Sequence, residues 1–179
     1  MADSKASRER SRVVTGMFRD RDDAERAYQS ITSRGYDTSD VNLLMSEDTR
    51  KKHFSSDDRG ETELGNKALK GAGAGAGIGG TIGAILAVIG AAGTLAIPGL
   101  NIIAAGPIVA ALTGAGAGGL AGGLIGSLVG WGIPEERAKA YESGIKEGGI
   151  VMGVNPKTDE DADYFETEWT KNRGEQVYR

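Results

Sequence analysis

From Gly71 to Ile133 the chain runs for 63 residues without one Asp, Glu, Lys, Arg or His, and 20 of those residues are glycine. Both flanks are densely charged. A run this long matches two bilayer crossings and a connection, since each crossing takes roughly 20 apolar residues. Small residues also recur at every fourth position: Gly71, Gly75, Gly79, Gly83, Ala87 and Ala91, then Gly106, Ala110, Gly114, Gly118, Gly122, Gly126 and Gly130. On a helix that spacing makes a stripe almost free of side chains, along which another backbone can approach closely.

The net charge of −4 conceals a division into three. Residues 1–70 carry 14 basic and 14 acidic side chains, and residues 134–179 carry 7 and 11. Neither flank concentrates the basic face that nucleic acid requires. Residues 1–11 read as a solvated, disordered tail, and the N-terminus is mildly basic through Lys5, Arg8, Arg10 and Arg12. No cysteine is present, which excludes disulfides and thiolate metal sites and suits a reducing cytoplasm. The first twenty residues lack the apolar core of a secretory leader, so any membrane insertion is expected to start from the internal block.

The flanks have folding signals of their own. Val13, Val14, Met17 and Phe18 lie in a strand-like run, and Asp20 or Asp22 can cap a helix with Ala24, Ala27, Tyr28 and Ile31 on one face. Gly35 suits its end, and a second strand follows over 40–46. Residues 47–66 read as a polar linker. Beyond the block, Pro134, Glu135 and Glu136 favour a helix start, with Ala138, Tyr141 and Ile145 as its buried stripe. A strand over 149–154 follows. Thr158 then caps a helix with Asp159, Glu160 and Asp161 in its first turn and Ala162, Phe165 and Trp169 on its apolar face, before a last strand at 175–179.

These are two βαβ units, and side by side they form a ferredoxin-like sandwich with two helices on one face of four strands. The expected class is α+β: residues 12–66 as the first half with a polar linker, 67–133 as an inserted glycine-zipper helical hairpin, and 134–179 as the second half. Each flank is too small for a core of its own, so the two must fold together, which brings the ends of the block together.

Two arms are expected within the block, at about 68–93 and 107–131, with Pro98, Gly99 and Pro107 shaping the tip. The six large aliphatics of the first arm contribute only about −2 to −3.5 kcal/mol towards insertion, so a packed pair is favoured over a lone span. Lys67, Lys70, Arg137 and Lys139 flank the block and the connection has no positive charge, which places both termini on the cytoplasmic side of the cytoplasmic membrane. The connection itself, TLAIPGLNIIAAG, is unusually apolar for a turn. Three arrangements remain open: a two-span hairpin with a short apolar tip, a hairpin that dips in and returns on one face, and a soluble hairpin buried in an oligomer.

Chemical motifs are weak. GAGIGG (75–80) and GAGAGG (114–119) match the dinucleotide fingerprint, but no strand precedes them and no acid follows before Glu135. His53, the one histidine, sits among Lys51, Lys52 and Ser55 and reads as a surface residue. Asp159, Glu160, Asp161 and Asp163 lack the spacing of a calcium loop. Tyr28, Tyr141, Phe165 and Trp169 fall at core spacing. Hence no catalytic site, cofactor, metal or small-molecule substrate is expected.

The order of the segments is itself distinctive. VVTGMFRDRDDAERAYQSITSRGYD, then LAIPGLNIIAAGPIVAAL, then GIPEERAKAYESGIKEGGIVMGV resembles the bacterial heat-induced general stress protein family over most of residues 12–155. The resemblance implies a small non-enzymatic bacterial protein raised under stress, with no catalytic residues to transfer. Residues 159–179 extend past the pattern. The combined expectation is a stress-associated protein that self-associates in or on the membrane through Gly71, Gly75, Gly79, Gly83, Gly114, Gly118, Gly122, Gly126 and Gly130, its partners being itself and the lipid bilayer. The alternatives are a self-assembling particle or filament with the zipper in its interior, and a small oligomeric pore.

Overall fold

The computed structural model describes residues 13–54, 85, 94–97, 101–109 and 123–179. The protein is α+β, as the patterning predicts. Its elements are β1 (Val14–Phe18), α1 (Arg21–Ser33), β2 (Val41–Ser46), α2 (Glu47–Phe54), β3 (Thr94–Ile97), β4 (Ile102–Ala105), α3 (Gly123–Gly130), α4 (Glu135–Lys146), β5 (Ile150–Val154), α5 (Asp159–Lys171) and β6 (Glu175–Tyr178). A short 3₁₀ turn, Thr38–Asp40, precedes β2 and is closed by a reciprocal capping box between Asp37 and Asp40.

The strands form one six-stranded sheet in the order β3-β4-β2-β5-β1-β6. Every neighbouring pair is antiparallel. β1 and β2, joined through α1, therefore run parallel with β5 between them. β5 and β6, joined through α5, run parallel with β1 between them.

The sheet is buried on both faces, which explains why β1, β2 and β5 read as continuous apolar runs rather than alternating ones. On one face Val14, Phe18, Leu43, Met45, Ile150 and Met152 meet Ala24, Ala27, Tyr28 and Ile31 of α1 and Ala162, Phe165 and Trp169 of α5. Phe18 and Trp169 pack edge to face at 5.8 Å, and the Trp169 indole N–H donates to Ser30 Oγ at 3.1 Å. On the other face Val13, Met17, Leu44, Ile102, Ala104 and Val151 meet Leu124 and Leu128 of α3 and Ala138, Tyr141 and Ile145 of α4. Helices thus cover both faces, where the sequence led us to expect only one.

The centre of the charge-free block is the main departure. It was expected to form the far tip of a membrane hairpin. Instead β3 and β4 pair with each other, and β4 pairs with β2 from Leu43↔Ala105 to Ser46↔Ile102. Ile102 and Ala104 point into one core and Ala105 into the other. This accounts for the apolar second half of the connection: Ile102–Ala105 are buried in the sheet, not part of a turn in water. Among the described residues no helix is long and apolar enough to cross a membrane. The membrane-spanning hairpin, and with it the placement in the cytoplasmic membrane, is therefore corrected. A hairpin whose middle is hydrogen-bonded to β2 cannot present that middle on the far side of a bilayer.

A second correction concerns residues 47–54, read as linker and found as α2. Ser46 Oγ accepts from Thr49 N at 3.0 Å, Glu47 and Asp48 occupy the first turn, and Lys51, Lys52 and His53 the last. These charges suit the helix dipole without any apolar stripe. The carbonyl of Asn101 accepts the first N–H of the helix, Glu47 N, at 2.9 Å.

Candidate functional site

The end of the glycine block supplies α3, whose two sides differ sharply. Leu124, Ser127 and Leu128 face the sheet and are buried. Ile125 is half-buried, and Gly126, Val129 and Gly130 are exposed. Val129 is the one large apolar side chain among the described residues that stands out in solvent, at 42% exposure. Among the described residues, a methyl group placed on Gly130 would meet nothing within 4 Å. The outer side of α3 is thus a narrow, uncharged surface of small and aliphatic residues.

Local structure holds this helix firmly. Ile133 N donates to Leu128 O at 3.0 Å and Gly132 N to Val129 O at 2.9 Å, a Schellman-type ending that turns the chain into α4. Trp131 lies against Gly153 of β5. A Cβ at that glycine would come within 2.7 Å of the indole ring. The start of the second arm is held as closely. Gly106 adopts φ +94° with its Cα against the Val41 carbonyl, where a side chain has no room. Pro107 follows in the turn that starts a helix, Val109 N donating to Gly106 O at 3.0 Å.

Of the residues singled out from the sequence, Gly126, Gly130 and Pro107 are placed by the structure. Gly71, Gly75, Gly79, Gly83, Gly114, Gly118, Gly122, Pro98 and Gly99 lie outside the described residues, as do the N-terminal tail and both fingerprint-like glycine motifs.

The polar groups singled out from the sequence and placed by the structure are engaged in it. The acidic cluster opening α5 is satisfied locally: Asp161 N donates to Thr158 Oγ1 at 3.1 Å, Tyr36 Oη donates to Asp161 Oδ2 at 2.8 Å, Arg34 reaches Glu160, and Arg179 pairs with Asp163. Among the described residues no group of three or more metal-ligating side chains converges. His53 lies on α2 with its ring edge-on to Phe54. Tyr141 is buried, and its hydroxyl reaches Thr15 Oγ1 at 2.9 Å and donates to the Gln176 carbonyl at 2.7 Å. Burial pushes its phenol up to about 12.

Sequence reasoning missed two buried polar residues. Asn42 on β2 links the block to the sheet. Its Oδ1 accepts from Ile108 N at 2.5 Å, and its Nδ2 donates to Gly153 O at 3.4 Å. Glu25 on α1 is 3% exposed, and among the described residues neither carboxylate oxygen completes a hydrogen bond. Burial pushes its carboxyl up to about 7, a rise moderated by the Arg21 charge and by the approach of the Ile85 N–H. No local pattern marks either residue, because each meets groups distant in the chain.

Compared with known protein families, with curated proteins and with solved structures, the chain matches none.

Proposed function

We propose that this is a non-enzymatic assembly protein of the bacterial general-stress kind, which self-associates through the small-residue face of its glycine block. The observation that carries the reading is the outer side of α3: Gly126, Val129 and Gly130 exposed on a helix whose opposite side is locked into the core. Gly126 and Gly130 continue the four-residue register of Gly114, Gly118 and Gly122. A face without charge and nearly without side chains is poorly suited to binding a polar ligand and well suited to close backbone packing against a second copy of itself.

Within this reading the β1–α1–β2 and β5–α5–β6 halves form a ferredoxin-like sandwich. The strand order β2-β5-β1-β6 supports that assignment. The glycine block widens the sheet by two strands and covers its second face. The zipper then lies inside an assembly rather than in a lipid bilayer.

The test is the mass of the full chain in solution by light scattering after gel filtration, compared with Val129→Asp. Wild type is expected as an oligomer and the variant as a monomer with unchanged far-ultraviolet dichroism. A monomeric wild type, or an oligomer unaffected by the charge, would refute the assignment.

A further inference from the structure

α3 carries the face assigned above to self-association, and its packing must set which way that face turns. Leu124 and Leu128 bury against the sheet, but apolar burial is non-directional. Trp131 acts differently. Its backbone N–H donates to Ser127 O at 3.0 Å and to Leu128 O at 3.1 Å, so it still belongs to the last turn of the helix. Gly132, at φ +95°, turns the chain away directly after it. Trp131 follows Leu124 by seven residues, close to two full turns, and so shares the inner side of α3, with Val129 across the axis.

The ring sits in a slot of the sheet. Gly153 of β5 stands between Asn42 of β2 and Thr15 of β1. A Cβ on Gly153 would come 2.7 Å from Trp131 Cη2, 3.0 Å from its Cζ3 and 3.3 Å from Thr15 Cγ2. Both walls of the slot are buried and pinned by hydrogen bonds. Asn42 Nδ2 donates to Gly153 O at 3.4 Å while Oδ1 accepts from Ile108 N at 2.5 Å. Thr15 Oγ1 accepts from Tyr141 Oη at 2.9 Å. Gly153 lies within a regular strand and outside the left-handed region, so its backbone would take alanine, and the indole is what stands in the way.

We infer that Trp131 is the positioning residue of the self-association face: its indole, keyed over Gly153, fixes the rotation of α3 so that Gly126, Val129 and Gly130 turn outward. This rests on the assembly reading and names the internal contact on which that assembly depends. Two small-residue faces pack closely only when they point at one another, so a contact inside the domain governs the contact between copies.

The experiment measures the mass of the full chain by light scattering together with acrylamide quenching of its two tryptophans. Trp169 is fully buried, so a rise in quenching reports on Trp131. In Gly153→Ala the displaced ring is expected to quench more readily and the oligomer to fall to the mass of one chain, with far-ultraviolet dichroism unchanged. Adding Trp131→Phe removes the outer ring that carries Cη2 and Cζ3, and this double variant is expected to recover the oligomer whether or not Gly153→Ala alone folds. An oligomer or a quenching that Gly153→Ala leaves unchanged, or a loss of the oligomer that the double variant does not restore, would overturn the role of Trp131 while the assembly reading stands. A monomeric wild type removes both.

Discussion

Asn42 and Ile108 stand 66 positions apart in sequence, yet Asn42 Oδ1 accepts the Ile108 backbone N–H at 2.5 Å in a buried site. The contact fastens the start of the second glycine arm to the second strand. Replacing Asn42 with Ala leaves the Ile108 donor without its partner, and a buried unsatisfied group costs about 1–3 kcal/mol. The expected outcome is a loss of that size in urea unfolding with little change in the slope of the transition.

Gly106 and Gly35 both have positive φ, at +94° and +77°. They differ in their surroundings. A Cβ at Gly35 meets nothing within 4 Å, whereas one at Gly106 runs into the Val41 carbonyl. Gly35→Ala is therefore expected to cost about 1 kcal/mol, the strain of a left-handed alanine alone. Gly106→Ala adds the loss of the close approach between β4 and β2 and is expected to cost at least about 2 kcal/mol more. Parallel thermal or denaturant unfolding of the two variants measures the difference.

Tyr141 and Tyr28 are both held up to about 12 by burial. A raised phenol stabilises the fold below its free value near 10, and that stability is lost as pH climbs from 10 through 12. Ultraviolet titration should show Tyr28 and Tyr141 ionising late, with Tyr36 also raised by burial, together with alkaline unfolding. Tyr141→Phe deletes the hydroxyl that serves Thr15 and Gln176 and is expected to lose about 1–2 kcal/mol at neutral pH. It should also remove one late titration.

Much of the flanking domain was legible. Ala24, Ala27, Tyr28 and Ile31 form the buried stripe of α1 that their spacing announced, and Ala162, Phe165 and Trp169 that of α5. Thr158 caps α5 with its side chain, whereas Asp20 serves α1 only through its backbone. What the sequence concealed has physical causes. Ile102 to Ala105 lie in a sheet buried on both faces, so they show no period of two, and in a charge-free stretch they read as membrane-compatible. α2 has no apolar stripe, only end charges and a serine cap. Glu25 is buried although it lies on a helix among charged neighbours, which no local pattern reports.

The most direct test of whether the centre of the charge-free run belongs to the sheet is amide hydrogen exchange of the full chain in detergent-free buffer. Because β4 pairs with both β2 and β3, the amides of Ile102–Ala105 that point into those ladders should exchange as slowly as those of Val41–Ser46. Exchange of Ile102–Ala105 at the rate of an open loop, with β2 still protected, would contradict it.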